Sequence, residues 1–138
     1  MVLCWTFLLA CTPMFDMDVW WHLRTGQLIW EGKGIPVHDW FTVFDSGRAW
    51  IDLQWGFELL LAPLYAVGGG PALILLKAAS LTLAVALAWF ASGDRIPAPL
   101  KAACWLLPIL AITGRGDVRP ELLTLVFLAT WLWVLSRV

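Results

Sequence analysis

Charge is scarce in this chain. Only 14% of its 138 residues are Asp, Glu, Lys or Arg, and 61% are apolar, whereas an ordinary soluble domain carries about 25% charged and roughly 45–50% apolar residues. A water-soluble globule is therefore the first class excluded. With 9 Lys+Arg against 10 Asp+Glu the formal charge is −1, so there is no polycationic field to grip a phosphate backbone, and nucleic acid is not an expected partner. Cysteine is also sparse. Cys4, Cys11 and Cys104 are an odd number, sit in apolar runs and lack CxxC or Cys/His spacing, a pattern of buried small hydrophobes rather than of a disulfide framework or zinc site. The chain has no Walker-type Gly-rich loop, no HExxH and no GxSxG elbow, which leaves ATP-driven transport, zinc proteolysis and serine hydrolysis without support.

The few charges are unevenly placed. None occurs from Met1 to Phe15, nine fall between Asp16 and Asp52, and after Glu58 they come only as Lys77, two short clusters and Arg137. A polar insert thus lies between apolar segments. Residues 71–91 are the clearest span, about twenty apolar residues that at 1.5 Å rise cover the roughly 30 Å hydrocarbon core. Gly68-Gly69-Gly70 precedes it and Ser92-Gly93-Asp94-Arg95 ends it. Shorter spans are expected at 98–113 and 120–136, joined by the charged tip Gly114 to Arg119, and a shorter one still at 1–15.

The expected fold class is all-α integral membrane, with about four transmembrane helices and a large extracytoplasmic first loop (residues 16–70) carrying membrane-surface amphipathic helices. Arg95, Lys101 and Arg137 mark the cytoplasmic side by the positive-inside rule, which puts the Asp16–Asp52 insert and the Arg115–Arg119 tip outside. Membrane lipids and other membrane helices are the expected surroundings. Trp5, Trp20, Trp21, Trp30, Trp40, Trp50 and Trp55 crowd the first part of the chain, and indole rings favour the headgroup layer, where the ring is buried and the N–H stays wet.

Candidate chemistry concentrates in that insert. A helix from about Asp16 to Gly32 places Asp18, His22 and Thr25 on one face. Asp16 suits its N-cap or, with Asp18, a divalent-ion site for Mg²⁺ or Mn²⁺. Asp18 beside His22 has the make-up of a general base. His38 and Asp39 read as solvated loop residues or as substrate ligands. Asp52 is positioned to cap a helix from Leu53 to about Tyr65, which Pro63 should bend. Glu58, among Trp55, Phe57 and Leu59 to Leu61, must find a partner or face a cavity. Lys77 snorkels to the interface or meets an anionic headgroup. Arg115 and Arg119 anchor the tip or hold a phosphate, whose oxygens match guanidinium forks.

The order of parts, and residues 16–60 in particular (DMDVWWHLRTG through QWGFELL), resembles the N-terminal portion of the GT-C superfamily of multi-span glycosyltransferases. That resemblance implies transfer of a sugar from a polyprenyl-phosphate-linked donor to an acceptor hydroxyl at the outer face of the bacterial inner membrane. It also implies a base or metal ligand at Asp18, with Asp16 second, and a basic residue of the Arg115-to-Glu121 tip toward the lipid phosphate. GT-C enzymes have about a dozen spans, so the chain is expected to be the N-terminal fragment of a larger protein. Two other classes are open: a non-catalytic multi-span subunit or scaffold, and a lipoprotein anchored through Cys11 by reading Leu8-Leu9-Ala10-Cys11 as a lipobox, against which no Lys or Arg precedes the apolar run.

Overall fold

A computed structural model describes every residue except Phe44, Asp45, Ser46, Asp94 and Arg95, and of Arg115 only the backbone. The expected turn at Asp45-Ser46 and the topological marker Arg95 lie outside the described residues. Among the described residues the regular elements are all helical: α1 (Val2–Ala10), α2 (Asp18–Leu28) followed by a wide turn at Ile29–Lys33, α3 (Trp55–Ala91), α4 (Ala98–Arg115) and α5 (Glu121–Leu135). The all-α expectation therefore holds. α3 is long and apolar enough to cross a membrane, while the apolar α4 and α5 are shorter.

Local chemistry accounts for most helix ends. Pro97 caps α4 and Pro99 lies in its first turn, where a missing N–H costs nothing. Pro120 plays the equivalent part at α5. Gly32 ends the wide turn after α2 at φ +91°, a conformation open to glycine and strained for other L-residues. The break in α3 comes at Gly69, with φ +59° and ψ −150°. Pro63 lies inside α3, but the non-helical residue is the middle one of the Gly68-Gly69-Gly70 triplet, whose backbone offers least resistance to leaving the helix. The stretch beyond it, Pro71 to Ala91, is the part read here as the span.

The chain divides into two compact units, Met1–Asp16 with Ile74–Val138, and Met17–Leu73. In the first, α1 packs on α4, and Ala10, Ala78, Leu81 and Leu122 form a small-residue core with Phe7, Ile112 and Leu125 against it. Lys77 lies within this unit with 1% of its surface exposed. Its Nζ donates to the Thr12 carbonyl at 2.9 Å and to Thr12 Oγ1 at 3.0 Å. Of the two readings offered by the sequence, snorkelling to water is not what the side chain does, because Thr12 supplies acceptors within reach of the ammonium.

The second unit is built where α2 meets the first part of α3. Val19, Leu23, Leu28, Phe57, Leu61 and Ala62 are buried. Contact centres on Gly26, where an added Cβ would fall 2.1 Å from the Glu58 carbonyl oxygen, so only a hydrogen fits between the two helices. Trp30 Nε1–H donates to the Leu59 carbonyl at 3.1 Å. The connection from Gly34 to Gln54 carries one antiparallel bridge, His38 with Ala49. It is held by the Asp39 N–H on the Arg48 carbonyl (3.0 Å) and the Trp50 N–H on the Val37 carbonyl (2.9 Å).

Candidate functional site

α2 begins at Asp18 with Met17 at the N-cap and no side-chain cap. Asp16 instead pairs with Arg119 Nε inside the first unit. With its carboxylate on Arg119, Asp16 does not cap α2, and the capping expectation is not met. The division between units runs between Asp16 and Met17, so Asp16 belongs with Arg119 and Asp18 with His22. Asp18 is exposed at the first turn of α2.

One turn on, His22 is buried, and its Nδ1 lies 2.8 Å from Glu58 Oε1. The close approach at Gly26, four residues further along the same face, sets the helix separation that lets this bond form. The Trp21 ring lies over the His22 ring with centroids 3.6 Å apart, and Phe57 meets it edge-on at 6.0 Å. Glu58 is wholly buried. It stands before the Gly69 break, outside the stretch read as the span, and burial pushes its carboxyl up to about 7 from 4.5, opposed by the bond to His22 and reinforced by Asp52.

Asp52 completes the cluster. Its Oδ1 accepts the Gln54 N–H at 2.8 Å in an Asx turn ahead of α3; the helix begins at Trp55 rather than Leu53, so Asp52 is not its cap. Its Oδ2 and Glu58 Oε2 are both buried with no donor. Burial and the neighbouring Asp52 both favour the protonated carboxyl of Glu58, whose Oε1 faces His22 Nδ1. Composition foreshadowed the need of Glu58 for a partner. The pairing with His22, 36 residues away, and with Asp52 was not legible.

His38 and Asp39 lie apart from that cluster, in an open cleft of about 300 Å³ within the same unit, with Trp21, Trp40, Phe41 and Trp50 among its walls. Asp39 closes a turn of its own: Oδ1 accepts the N–H groups of Phe41 (2.8 Å) and Thr42 (3.0 Å), and Oδ2 accepts the Thr42 hydroxyl. These bonds, that of the Thr42 hydroxyl foremost, hold its carboxyl below the ordinary carboxylate range. Trp21 joins the two features, since one indole both covers His22 and borders the cleft.

Of the expected site residues, then, His22 comes together with Glu58, His38 with Asp39, and Asp16 with Arg119. The side chain of Arg115 lies outside the described residues. Arg119 borders an open cavity of about 520 Å³ in the first unit together with Asp117 and Glu121. Among the described residues no three His, Cys, Asp or Glu side chains converge as a metal site, and the Asp16 carboxylate is engaged by a cation. Sequence reasoning missed Asp52 as a partner of Glu58, and the cleft formed by Trp21, Trp40 and Trp50. The visible signal for the helix contact was Gly26, a glycine inside a helical pattern, which marks close backbone approach.

No family model, curated protein or solved structure matches this chain significantly.

Proposed function

We propose that this chain is part of a GT-C-like membrane glycosyltransferase that moves a sugar from a polyprenyl-phosphate-linked donor to an acceptor hydroxyl at the outer face of the membrane. The observation that carries the reading is the acidic, Trp-rich segment directly after the first apolar helix, with an exposed carboxylate at its head and a cleft of aromatic, His and Asp side chains behind it. In this reading the acceptor oxygen attacks the anomeric carbon, the bond from that carbon to the phosphate oxygen breaks, and polyprenyl phosphate leaves with the electron pair. Asp18 takes the acceptor proton. Proton abstraction of this kind contributes typically 10²–10⁴-fold. His22, buried against Glu58, positions α2 and does not touch the reacting atoms. In the other unit Arg115 and Arg119 are the groups suited to a phosphate, by the fit of guanidinium to its oxygens.

The reading extends to topology: α3 beyond Gly69, α4, α5 and the helix at the N-terminus are four membrane helices of the bacterial inner membrane, and the 16–70 segment lies outside with its indoles in the headgroup layer. Cysteines introduced next to Asp18, in a chain whose own three are replaced, are expected to react with reagents confined to the periplasm. Reaction only from the cytosol ends the proposal. In the full-length protein Asp18→Asn is expected to lower transfer by about 10²-fold or more with binding of the donor retained. The alternative role of Asp16 and Asp18 as ligands of Mg²⁺ or Mn²⁺ is separated by chelation: EDTA leaves transfer intact if Asp18 acts as a base and abolishes it if a metal is needed.

A non-catalytic membrane subunit is the second reading. It draws on the exposed apolar side chains of α4 and α5, such as Leu107, Phe127 and Trp131, which call for lipid or for neighbouring helices. A scaffold tolerates Asp18→Asn.

A further inference from the structure

The cleft bordered by Trp21, Trp40 and Trp50 has a shape and chemistry of its own. The rings of Trp21 and Trp50 stand at 89° with centroids 6.3 Å apart, so they make a floor and a wall rather than a flat patch. Its volume of about 300 Å³ is at the lower end of the 300–1,000 Å³ typical of small-molecule sites, enough for one ring and not for a chain. His38, Asp39 and Thr42 supply the polar side of the lining. An imidazole and a hydroxyl both give and accept hydrogen bonds.

We propose that this cleft binds a single pyranose ring, its C–H face on an indole and its hydroxyls on His38 and the Asp39–Thr42 turn. The electron-rich face of an indole attracts the positive edges of C–H bonds, and a sugar hydroxyl needs partners that donate as well as accept. A quaternary ammonium ion, the other guest of aromatic sites, needs neither. It is best served by a carboxylate with oxygens to spare, whereas both oxygens of Asp39 already accept bonds from their own turn. The ligand class rests on the glycosyl-transfer reading for its biological sense, but saccharide binding is measurable without any transfer.

The test uses the full chain in lipid nanodiscs, free of sugar-headed detergents. Methyl glycosides of glucose, mannose, galactose and N-acetylglucosamine serve as probes, followed by Trp fluorescence and saturation-transfer NMR. At least one glycoside is expected to saturate. Trp50→Ala is expected to weaken it about 3- to 10-fold, and His38→Ala by a similar factor. His38 is exposed in a loop, so its variant keeps the test alive should Trp50→Ala fail to fold. Trp131→Phe, on exposed α5, is expected to change nothing. Absence of saturation by all four glycosides overturns the proposal, as does equal weakening by Trp50→Ala and Trp131→Phe. So does tighter binding of tetramethylammonium that is indifferent to His38→Ala. If glycosides bind as expected while the full-length protein transfers no sugar from a polyprenyl-phosphate-linked donor, the cleft stands and the transfer reading falls. If transfer depends on Asp18 but no glycoside binds, the reverse holds.

Discussion

The two units handle buried polarity in opposite ways. In the first, Lys77 and Lys101 are buried cations, Lys77 satisfied by the carbonyl and hydroxyl of Thr12 and Lys101 by the Gly93 carbonyl. The unit's ion pair, Asp16 with Arg119, keeps one partner near water, the Arg119 side chain being 45% exposed. In the second, three titratable groups, His22, Asp52 and Glu58, are withdrawn from solvent together, and Asp52 adds to the burial that raises the Glu58 carboxyl. Lys77 is held by neutral acceptors, while the raised carboxyl of Glu58 ties stability to proton concentration. The first unit should therefore respond to salt and to packing, the second to pH.

The largest expected effect comes from the glycines at which each unit is closest packed. Gly26→Ala drives a methyl group into the Glu58 carbonyl, which is backbone and cannot yield, so a loss of about 3 kcal/mol or more is expected in thermal unfolding followed by fluorescence. At Gly116 in the first unit the same methyl would meet Leu81 Cδ1 at 2.6 Å and the Ile112 carbonyl oxygen at 3.0 Å. A leucine tip can turn aside, and Gly116→Ala is expected to cost about 1 kcal/mol. Equal losses at the two positions would erase the contrast.

Next in size is the pH response of the second unit. The folded chain holds a proton on Glu58 up to about 7, whereas an unfolded one releases it near 4.5. The stability this contributes is complete below the lower value and is lost as pH climbs through the upper one, by about 3 kcal/mol. Melting between pH 4.5 and 8 should show this decline in the parent chain, and Glu58→Gln should flatten it. An unchanged slope in Glu58→Gln means the proton is held elsewhere.

Smaller changes are expected in the first unit. Thr12→Val removes one of the two acceptors of Lys77 and is expected to destabilise by about 1 kcal/mol in thermal unfolding. The smallest belongs to Asp16→Asn, about 0.5 kcal/mol and diminishing as salt is raised, because a pair with one exposed partner is screened. An effect as large as that at Glu58 would show that the two units do not differ in kind.

The sequence was most informative where the physics is local. The apolar run before Ser92 gave α3, the three glycines placed the break in it, and Pro97 and Pro120 marked the starts of α4 and α5. The local bond of Asp52 to the Gln54 N–H was readable because a turn needs only the next few residues, although the helix starts at Trp55 and not at Leu53. The other oxygen of Asp52 was not, since its neighbour Glu58 reaches it through a fold and not through spacing. The same holds for His22. Helical periodicity put it on a face with Asp18 and Thr25, but burial separates the group: His22 and Thr25 turn inward while Asp18 stays exposed. Asp16 was misread as a cap because its partner, Arg119, lies more than a hundred residues later in the chain. The aromatic cleft escaped notice for another reason. Indoles near a membrane read as interfacial anchors one by one, and nothing in their spacing announces that Trp21 and Trp50 meet at right angles.

Gly26 has one more implication. Because a lone hydrogen separates α2 from the Glu58 carbonyl, the identity of residue 26 gauges the spacing on which the His22 contact depends. A library randomised at this position and screened for survival should return glycine almost alone, because the obstacle to any side chain is the Glu58 backbone itself. Such a screen would report, without any enzyme assay, whether chains in a living cell keep this helix contact intact.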